Sequence, residues 1–401
     1  MKRVLLAYSG GLDTSFLVAW LVHHEGFDVH AICVDCGGFD EESRAEIQSR
    51  ALLMGATTAR MIDGRKDLHD SVLRWLIAGN VRRGDVYPLS VGAERGVQAQ
   101  LLAELALEEG FDALAHGCTA AGNDQVRFEA ALAVVASELE VMAPVRDMGM
   151  AREAQVAWLK EKGFPVPPSG GRYSMNAGLW GLTIGGGEML DTNEALPEEA
   201  WVWTRGGVGE AHLSLRFEGG VPCAFDGKVM DPVALIEALN TFGGGLGVGR
   251  GYHLGDTVLG IKGRIAFEAP AAEILITAHR ELEKLVLTED QRFWKDHLGE
   301  VYGRRLHQGL LHDPFMRDVE AFLASSQAVV EGTVHIQLSG GRVIVTGVQS
   351  SHSMLAASDA AYGEKAAAGS DPRGPAFLGR ILAEPARLSA VAKKLAARSP
   401  S

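Results

Sequence analysis

The sequence predicts an α/β protein: a domain with a parallel sheet, then an α+β domain and a C-terminal helical tail. Strand-like and helical runs alternate in the first part, hairpin-like runs with glycine turns follow, and the last part is rich in alanine and glycine. Alternating strands and helices are typical of a parallel sheet covered by helices on both faces. We therefore expect domains at 1–165, 166–354 and 355–401.

The elements of the first domain follow one another with short connections. The carboxyl ends of parallel strands form the edge where ligands bind in such sheets. The glycine-containing segments after Tyr8 and after His116 both follow predicted strands, so we expect both at this edge. The predicted strands and helices alternate as VLLAY, TSFLVAWLVHH, VHAICV, EESRAEIQSRALLM, TARMI, DLHDSVLRWLIA, VQAQLLAELALEEG and DALAHG.

The second half begins after a proline- and glycine-rich stretch, GFPVPPSGG at 163–171, where we place the domain boundary. The runs HLSLRFEGGVPCAF and VHIQLSGGRVIV predict hairpins with glycine turns. Asp231 followed by Pro232 predicts the start of a helix that ends near Gly243. The glycine string after it follows a helix rather than a strand, which indicates a connector. The amphipathic end of the tail suggests docking on another subunit.

Composition excludes several classes of protein. The 401 residues carry a net charge of −13, which provides no general attraction for nucleic-acid phosphates. No stretch has the pattern of a signal peptide or a membrane span. Cys33 and Cys36 form a CxxC, but no second pair completes a metal site, so we interpret them as buried strand-end residues. We expect a reduced, cytoplasmic protein that binds neither nucleic acid nor membrane.

The segment AYSGGLDTS at 7–15 predicts a phosphate-binding loop. Gly10 and Gly11 allow backbone N–H groups to face an anion, and the following helix, expected from about Thr14, adds its positive end. Ser9 offers a hydroxyl donor, and Asp13 is a candidate for orienting Mg²⁺ that is held by phosphates. Because the chain contains no GxxxxGK[ST], the segment is not a Walker A loop.

This loop resembles the pyrophosphate loop of the N-type ATP pyrophosphatases, SGGxD[ST]S, which implies an adenine nucleotide alpha hydrolase-like fold. The particular residues of AYSGGLDTS resemble those of the argininosuccinate synthetase family. A second stretch, HGCTAAGNDQVRFE at 116–129, resembles the HGATGKGNDQVRFE of that family and matches it at eleven of fourteen positions. Further similar stretches are DVYPL, YSM with LWG, GVGR, LGIKGR and AHRELE. The resemblance runs from residue 1 to about 350 and is highly specific for the ATP half.

The resemblance implies roles for individual residues. Thr119, Asn123 and Asp124 match positions that hold aspartate, and amide, hydroxyl and carboxylate groups suit that task. Arg127 matches a position that faces citrulline, although it could instead only pair with Glu129 in its own helix. The implied ATP-binding residues are Ala7, Tyr8, Ser9, Gly10, Gly11, Leu12, Asp13, Thr14, Ser15, Val34 and Gly117. The implied acceptor-binding residues are Tyr87, Arg127, Ser174 and Thr183, and the expected catalytic residues are Asp13, Asp124 and Arg127.

The acceptor pocket departs from the family pattern. GTSLAR in the family reads SVGAER here, and SMDENL reads SMNAGL. Gly92 and Thr183 replace serines, Gly255 replaces a glutamate, Phe267 replaces a tyrosine, and Ala121 replaces a lysine near the phosphates. These changes leave two hypotheses about the acceptor open: citrulline bound through compensating contacts, or a different ureido compound. His116 could be a general base, but a histidine satisfied by backbone at a strand end is the preferred interpretation.

The implied reaction has two steps. A ureido oxygen attacks the α-phosphate of ATP and releases pyrophosphate, and the aspartate amine then displaces AMP. Mg²⁺ is expected to arrive with ATP, and the family suggests a homotetramer. A tRNA-modifying enzyme would need a catalytic cysteine pair and a basic face, which Cys118 alone and the net charge disfavour. The same chemistry on another acceptor and a non-catalytic nucleotide-binding paralogue remain alternatives.

Overall fold

The computed structural model describes residues 1–120, 122–167, 171–362 and 365–396, and within them the chain forms three sheets. The first sheet is parallel throughout, with the order β3-β2-β1-β4-β5, which confirms the α/β fold class. Its strands are β1 (Arg3–Ala7), β2 (Asp28–Asp35), β3 (Thr58–Asp63), β4 (Ala113–His116) and β5 (Glu140–Met142).

Helices cover both faces of the parallel sheet because its central strands are apolar on both sides. Leu5 faces one hydrophobic core and Leu6 faces the other, and both are fully buried. A π-helical turn, His69–Leu73, joins α3 to α4. The helices are α1 (Leu12–His23), α2 (Glu41–Leu53), α3 (Arg65–Leu68), α4 (Arg74–Ala78), α5 (Glu94–Glu108), α6 (Asp124–Val135), α7 (Pro144–Met148) and α8 (Arg152–Glu161).

Two antiparallel sheets and four helices follow. One sheet has the order β11-β12-β7-β6 and the other β10-β9-β8-β13-β14. The strands are β6 (Tyr173–Gly178), β7 (Gly181–Gly186), β8 (Glu210–Glu218), β9 (Val221–Phe225), β10 (Lys228–Val229), β11 (Arg250–Asp256), β12 (Lys262–Glu268), β13 (Gly332–Ser339) and β14 (Arg342–Gln349). The helices are α9 (Pro232–Gly244), α10 (Pro270–Val286), α11 (Glu289–His307) and α12 (Pro314–Gln327).

The predicted hairpins and the predicted helix start are present in this half. β8 pairs with β9, and β13 pairs with β14, each in antiparallel register. The Asp231 side chain accepts a hydrogen bond from the backbone N–H of Val233 at 2.9 Å, so Asp231 is the N-cap of α9. The glycine string connects α9 to β11, as expected for a connector that follows a helix.

The hairpin β6–β7 packs on the carboxyl end of β2 and so brings the second half to the ligand-binding edge. The backbone N–H of Leu179 donates to the carbonyl oxygen of Cys36 at 2.6 Å. A Cβ atom on Gly38 would lie 2.3 Å from the carbonyl oxygen of Ala177, so the backbones approach too closely there for any side chain. This contact joins both halves within one compact unit, 1–352.

Residues 353–401 form a separate compact unit. Its described part contains α13 (Gly374–Ala396), which carries Pro385 in its interior and exposes apolar side chains such as Phe377 and Leu382. The predicted boundary at 163–171 stays a prediction, and its residues 168–170 lie outside the described part, as does Ala121. In the described residues, no helix has the length and apolar composition that crossing a membrane requires.

Candidate active site

The predicted phosphate loop connects β1 to α1, as its sequence indicates. Gly10 has φ +75°, and a Cβ atom there would lie 2.8 Å from a side-chain carbon of Ile47 on α2, so both conformation and space favour glycine. The hydroxyls of Ser9 and Thr14 lie 3.2 Å apart, and those of Tyr8 and Ser15 lie 3.0 Å apart. These hydrogen bonds join the loop to the first turn of α1, whose first N–H groups are suited to an anion.

The loop after β4 lies directly beside the phosphate loop. Ala7 of β1 and His116 of β4 are register partners, so the two strands end at the same level. A Cβ atom on Gly117 would lie 2.8 Å from the Cγ2 atom of Thr14 and 3.4 Å from its backbone nitrogen. Two segments predicted to bind ATP, which are about a hundred residues apart in the chain, therefore meet at one edge of the sheet.

The third segment predicted to bind ATP ends the neighbouring strand. Val34 is buried near the end of β2, and the backbone N–H of Tyr8 donates to Ile32 of that strand at 2.9 Å. Beyond it, the Asp35 carboxylate accepts hydrogen bonds from the N–H groups of Gly37 and Gly38 at 2.7 and 3.1 Å. These bonds shape the turn that follows Val34 at the ligand-binding edge.

Asp13 lies in the first turn of α1 and not in the loop, because the helix begins at Leu12 rather than near Thr14. Its carboxylate accepts a hydrogen bond from the Gln155 side-chain amide at 2.9 Å, and Arg152 lies 3.8 Å away. Gln155 itself is fully buried. Nothing in the sequence around Gln155 distinguishes it from the other polar residues of α8, so this partner of Asp13 is not predictable from the sequence.

A network of charges surrounds the first turn of α6. The Asp124 carboxylate accepts hydrogen bonds from Arg95 Nε and Arg127 Nη1, each at 2.9 Å. Burial alone would raise the pKa of Asp124, but the charges and hydrogen bonds of the two arginines outweigh it and hold that pKa below its usual value. Asp124 is therefore ionised at neutral pH. Arg95 belongs to the SVGAER stretch, whose sequence indicates no role for it.

Arg127 reaches across to α11 as well as to Asp124 in its own helix. Its Nε donates to the backbone oxygen of His307 at 3.0 Å, and its Nη2 lies 3.0 Å from His307 Nδ1. Glu129 instead pairs with Arg146 at 2.5 Å, so the alternative that Arg127 only pairs with Glu129 is wrong. The physical reason is tertiary, because α11 offers acceptors that no local pattern around Arg127 announces.

His307 lies between two guanidinium groups. Arg83 Nη1 is 2.8 Å from its Nε2, on the side opposite Arg127. Burial, followed by the charges of Arg127 and Arg83, lowers the pKa of His307 to about 3. The ring is neutral at physiological pH and carries one N–H, so it can accept from only one of the two guanidinium groups. Neither Arg83 nor His307 carried a signal in the sequence.

Asn123, just before α6, contacts the second half of the chain. The Asn123 side-chain oxygen accepts a hydrogen bond from the backbone N–H of Val258 at 2.9 Å, and the backbone oxygen of Thr119 faces the N–H of Gly122 at 3.5 Å. Val258 lies between β11 and β12. Asn123, one of the residues predicted to hold aspartate, thus lies where that connection approaches α6.

The acceptor positions share one face of the sheet β11-β12-β7-β6. Phe267 pairs with Thr183 and with Gly251, and Thr183 pairs with Asn176 on β6. Because side chains alternate along a strand, Ser174 projects from this same face, and Gly255 occupies a position on it without a side chain. Phe267 and Thr183 are buried, whereas Ser174 is exposed. The structure therefore brings four separated sequence positions to one surface.

Tyr87 approaches that surface from the first half, and Gly92 lies beside Arg127. The Tyr87 ring is centred 5.2 Å from the Phe267 ring and 5.5 Å from the His253 ring. Burial raises the pKa of Tyr87 to about 12, so its hydroxyl is protonated. A Cβ atom on Gly92 would lie 3.4 Å from Arg127 Nη2. The serine of the family pattern would reach further toward this guanidinium than glycine does.

The remaining candidates do not enter this constellation as catalytic groups. His116 is buried, and its Nδ1 accepts from the backbone N–H of Cys118 at 3.3 Å. Its Nε2 lies 3.5 Å from a carboxylate oxygen of Glu129 and has no backbone partner in the part of the chain that the structure describes, so the preferred interpretation holds for one ring nitrogen only. Cys33 and Cys36 are free buried thiols, and burial raises the pKa of Cys33 to about 12. Across the described residues, no cluster of three or more histidine, cysteine or acidic side chains could hold a metal ion.

Comparisons with known proteins agree with the resemblance read from the motifs. The family model described as "Arginosuccinate synthase N-terminal HUP domain" matches residues 3–165, and "Arginosuccinate synthase C-terminal domain" matches 173–374. A solved structure of a predicted subunit of tRNA methyltransferase from Methanocaldococcus jannaschii covers 40% of this chain and 77% of its own, at 17% identity. Its TM-score of 0.29 is too low to support an argument about fold.

Curated relatives match along nearly the whole chain. Argininosuccinate synthase from Methanocaldococcus jannaschii is 37% identical over 370 residues, which is 91% of this chain and 93% of the relative. The enzyme from Dehalococcoides mccartyi strain 195 is 39% identical over 90% of both chains. The one from Sulfurisphaera tokodaii is 35% identical over 90% of this chain and 92% of its own. This chain therefore belongs to the argininosuccinate synthase family of ATP-dependent ligases.

Proposed function

We propose that this protein joins citrulline and aspartate to form argininosuccinate and converts ATP to AMP and pyrophosphate. The observation that carries the proposal is the convergence of the phosphate loop, the Gly117 loop and the Asp124–arginine network at one sheet edge. Membership of the family favours this reaction over the alternatives of another acceptor or a non-catalytic paralogue.

The first step needs a held triphosphate and an aligned acceptor. The ureido oxygen of citrulline attacks the α-phosphorus, the bond from that phosphorus to the bridging oxygen breaks, and pyrophosphate leaves. Backbone N–H groups of the loop and the first turn of α1 would bind the leaving pyrophosphate, with Ser9 and Thr14 as hydroxyl donors. Mg²⁺ would arrive with ATP, and Asp13, an oxygen ligand type that Mg²⁺ prefers, would orient it.

In the second step the aspartate amine attacks the adenylated ureido carbon. The new C–N bond forms, the amine loses a proton, and AMP leaves with the oxygen that citrulline contributed. Thr119, Asn123 and Asp124 would hold aspartate, with Arg95 beside them. Positioning and electrostatic stabilisation carry both steps, because neither requires a nucleophile from the protein.

The acceptor would lie against the face that contains Thr183 and Phe267, under Tyr87. Arg127, which is buried and held by His307, would present its guanidinium to an oxygen of the acceptor. Ser174 would contact the acceptor from the exposed end of β6. We further propose a cytoplasmic homotetramer in which the apolar face of α13 contacts another subunit.

Isotope transfer tests the reaction directly. Citrulline labelled with ¹⁸O in its ureido group should deliver the label to AMP and leave pyrophosphate unlabelled, with AMP formation dependent on aspartate. Mass spectrometry of AMP and of the amino-acid product gives both readings. Unlabelled AMP, or AMP formed equally well without citrulline, would show that the ureido oxygen does not attack ATP.

A further inference from the structure

Glu94 is a buried carboxyl group with an unsatisfied oxygen at the edge of the active site. It opens α5, and only 2% of its surface is exposed. Its Oε1 has no hydrogen-bond partner among the described residues, and its Oε2 lies 3.8 Å from Arg95 Nη1. Buried carboxylates are normally paired or hydrogen-bonded, because a buried charge without partners has lost its hydration and gained nothing in its place.

The carboxyl group occupies space that a side chain at position 178 would need. A Cβ atom on Gly178 would lie 1.6 Å from Glu94 Oε1 and 2.5 Å from its carboxyl carbon. The family stretches quoted above, GTSLAR and SMDENL, have alanine and asparagine at these two places. In this chain, therefore, position 94 carries a larger side chain than in the family pattern, and position 178 carries glycine, which has no side chain.

Charged groups on neighbouring elements affect the pKa of Glu94. Burial, which comes first, and the carboxylates of Asp124 and Asp35 raise the pKa of Glu94 to about 8, against the opposing effect of Arg95. Cys36 faces the same region with a thiol whose pKa burial also raises. Asp35 differs from Glu94, because two backbone N–H groups and Arg44 satisfy its carboxylate.

Arg95 connects Glu94 to the predicted aspartate corner. Its guanidinium lies 2.9 Å from Asp124 and 3.8 Å from Glu94, so one cation serves two carboxyl groups. When Glu94 is protonated, Asp124 alone competes for this cation. When Glu94 is ionised, two anions compete for it, and a third from a bound substrate would be repelled.

We propose that Glu94 is a positioning residue for the amine donor. When Glu94 is protonated, the Arg95 guanidinium pairs with Asp124 and can also bind a carboxylate of aspartate. When Glu94 is ionised, it attracts the guanidinium away from both. The proposal rests on aspartate being the donor, as argued above. Gly178 makes it possible, since the space beside its backbone holds the uncharged carboxyl group. Glu94 thereby ties the affinity for a dicarboxylate substrate to pH.

The kinetic test compares wild type with Glu94→Gln, which resembles the protonated form at every pH. In wild type the KM for aspartate should rise about tenfold between pH 7 and pH 9, since a group of pKa near 8 goes from about one-tenth to nine-tenths ionised. In Glu94→Gln this rise should disappear while KM at pH 7 and kcat stay near the wild-type values. Glu108→Gln, an exposed change on the same helix, should retain the rise.

A stability measurement tests the same group without substrate. Because the pKa of Glu94 is higher in the folded than in the unfolded chain, the folded state keeps a proton that the unfolded state releases, and stability falls as pH rises from about 4.5 to about 8. The Tm advantage of Glu94→Gln over wild type should therefore widen across this range and then stay constant. A Tm difference that is flat from pH 5 to pH 8.5 would contradict the burial argument.

Packing against position 178 provides a third test. Gly178→Ala should raise the KM for aspartate at pH 7 because its Cβ atom would fill the space that holds the uncharged carboxyl group, and adding Glu94→Ala should reverse this loss. An aspartate KM that is flat from pH 7 to 9 in wild type, or a rise that persists in Glu94→Gln, overturns the proposal. If wild type forms no AMP in response to aspartate, the proposed function itself is wrong, and the Tm comparison still reports on Glu94.

Discussion

Gly117→Ala is expected to lower activity by separating the two loops that would hold ATP. The added Cβ atom would lie 2.8 Å from Thr14 Cγ2, whereas carbon atoms in contact are ordinarily about 3.5–4.0 Å apart. The loop after β4 and the start of α1 must therefore move apart by about 1 Å. No positive φ is involved at Gly117, so the effect comes from the contact and not from backbone strain.

The size of the effect follows from this displacement. Misplacing reacting groups by about 1 Å can cost about 10²-fold in rate, which corresponds to about 2.7 kcal/mol of transition-state stabilisation. We expect kcat/KM for ATP to fall by that factor. The fold should persist, because the chain can relieve the contact by shifting a loop at the edge of the sheet.

A second substitution makes the test specific. Thr14→Ser removes the Cγ2 methyl group that the new Cβ atom would meet, and it keeps the hydroxyl that lies 3.2 Å from Ser9 Oγ. The double variant Gly117→Ala/Thr14→Ser should recover most of the lost kcat/KM, while Thr14→Ser alone stays near wild type. Gly347→Ala is the matched control, since a Cβ atom there meets its nearest atom at an ordinary 3.6 Å.

Pyrophosphate release under varied ATP, with thermal unfolding in parallel, measures all four variants. The reasoning is refuted if Gly117→Ala keeps the wild-type kcat/KM. It is equally refuted if the double variant is no better than Gly117→Ala, because the methyl contact would then not be the cause.

Three further predictions concern single residues. Asp13→Asn should slow pyrophosphate release by about 10²-fold or more, because it removes a preorganised electrostatic group. The far-UV circular dichroism spectrum should stay unchanged. Turnover at the wild-type rate would show that Asp13 takes no part in the mechanism. The pKa of His307 is lowered in the folded state, so wild type should lose stability as pH falls below about 6.5, and His307→Gln should lose less. Urea titrations over this pH range measure both. Identical pH dependence of the two proteins would show that the folded state does not hold His307 in its neutral form. Glu268 accepts hydrogen bonds from three backbone N–H groups and a hydroxyl, at 2.5–2.9 Å. Glu268→Gln should therefore lower the free energy of unfolding by about 2–4 kcal/mol. A decrease below about 0.5 kcal/mol would mean that the amide replaces the carboxylate without loss.

The sequence by itself determined the parallel sheet and the place of the ligand-binding edge. Both follow from local patterns, because apolar runs with strand and helix periods specify elements, and glycines after a strand specify where the backbone opens. The glycines, hydroxyl residues and aspartate of the stretch AYSGGLDTS also indicated a phosphate-binding loop. The family followed from this stretch together with HGCTAAGNDQVRFE, and the comparisons confirm it.

Only the tertiary structure decided which side chains share charge at this edge. Arg127 meets His307 across 180 positions of the chain, and Asp13 meets Gln155 across 142. Periodicity extends over a few turns of one element, whereas such pairs depend on how whole helices pack, so no local pattern could announce them. The same holds for Glu94, whose carboxyl group is unusual only because Gly178, on a strand of another sheet, leaves it space and no partner.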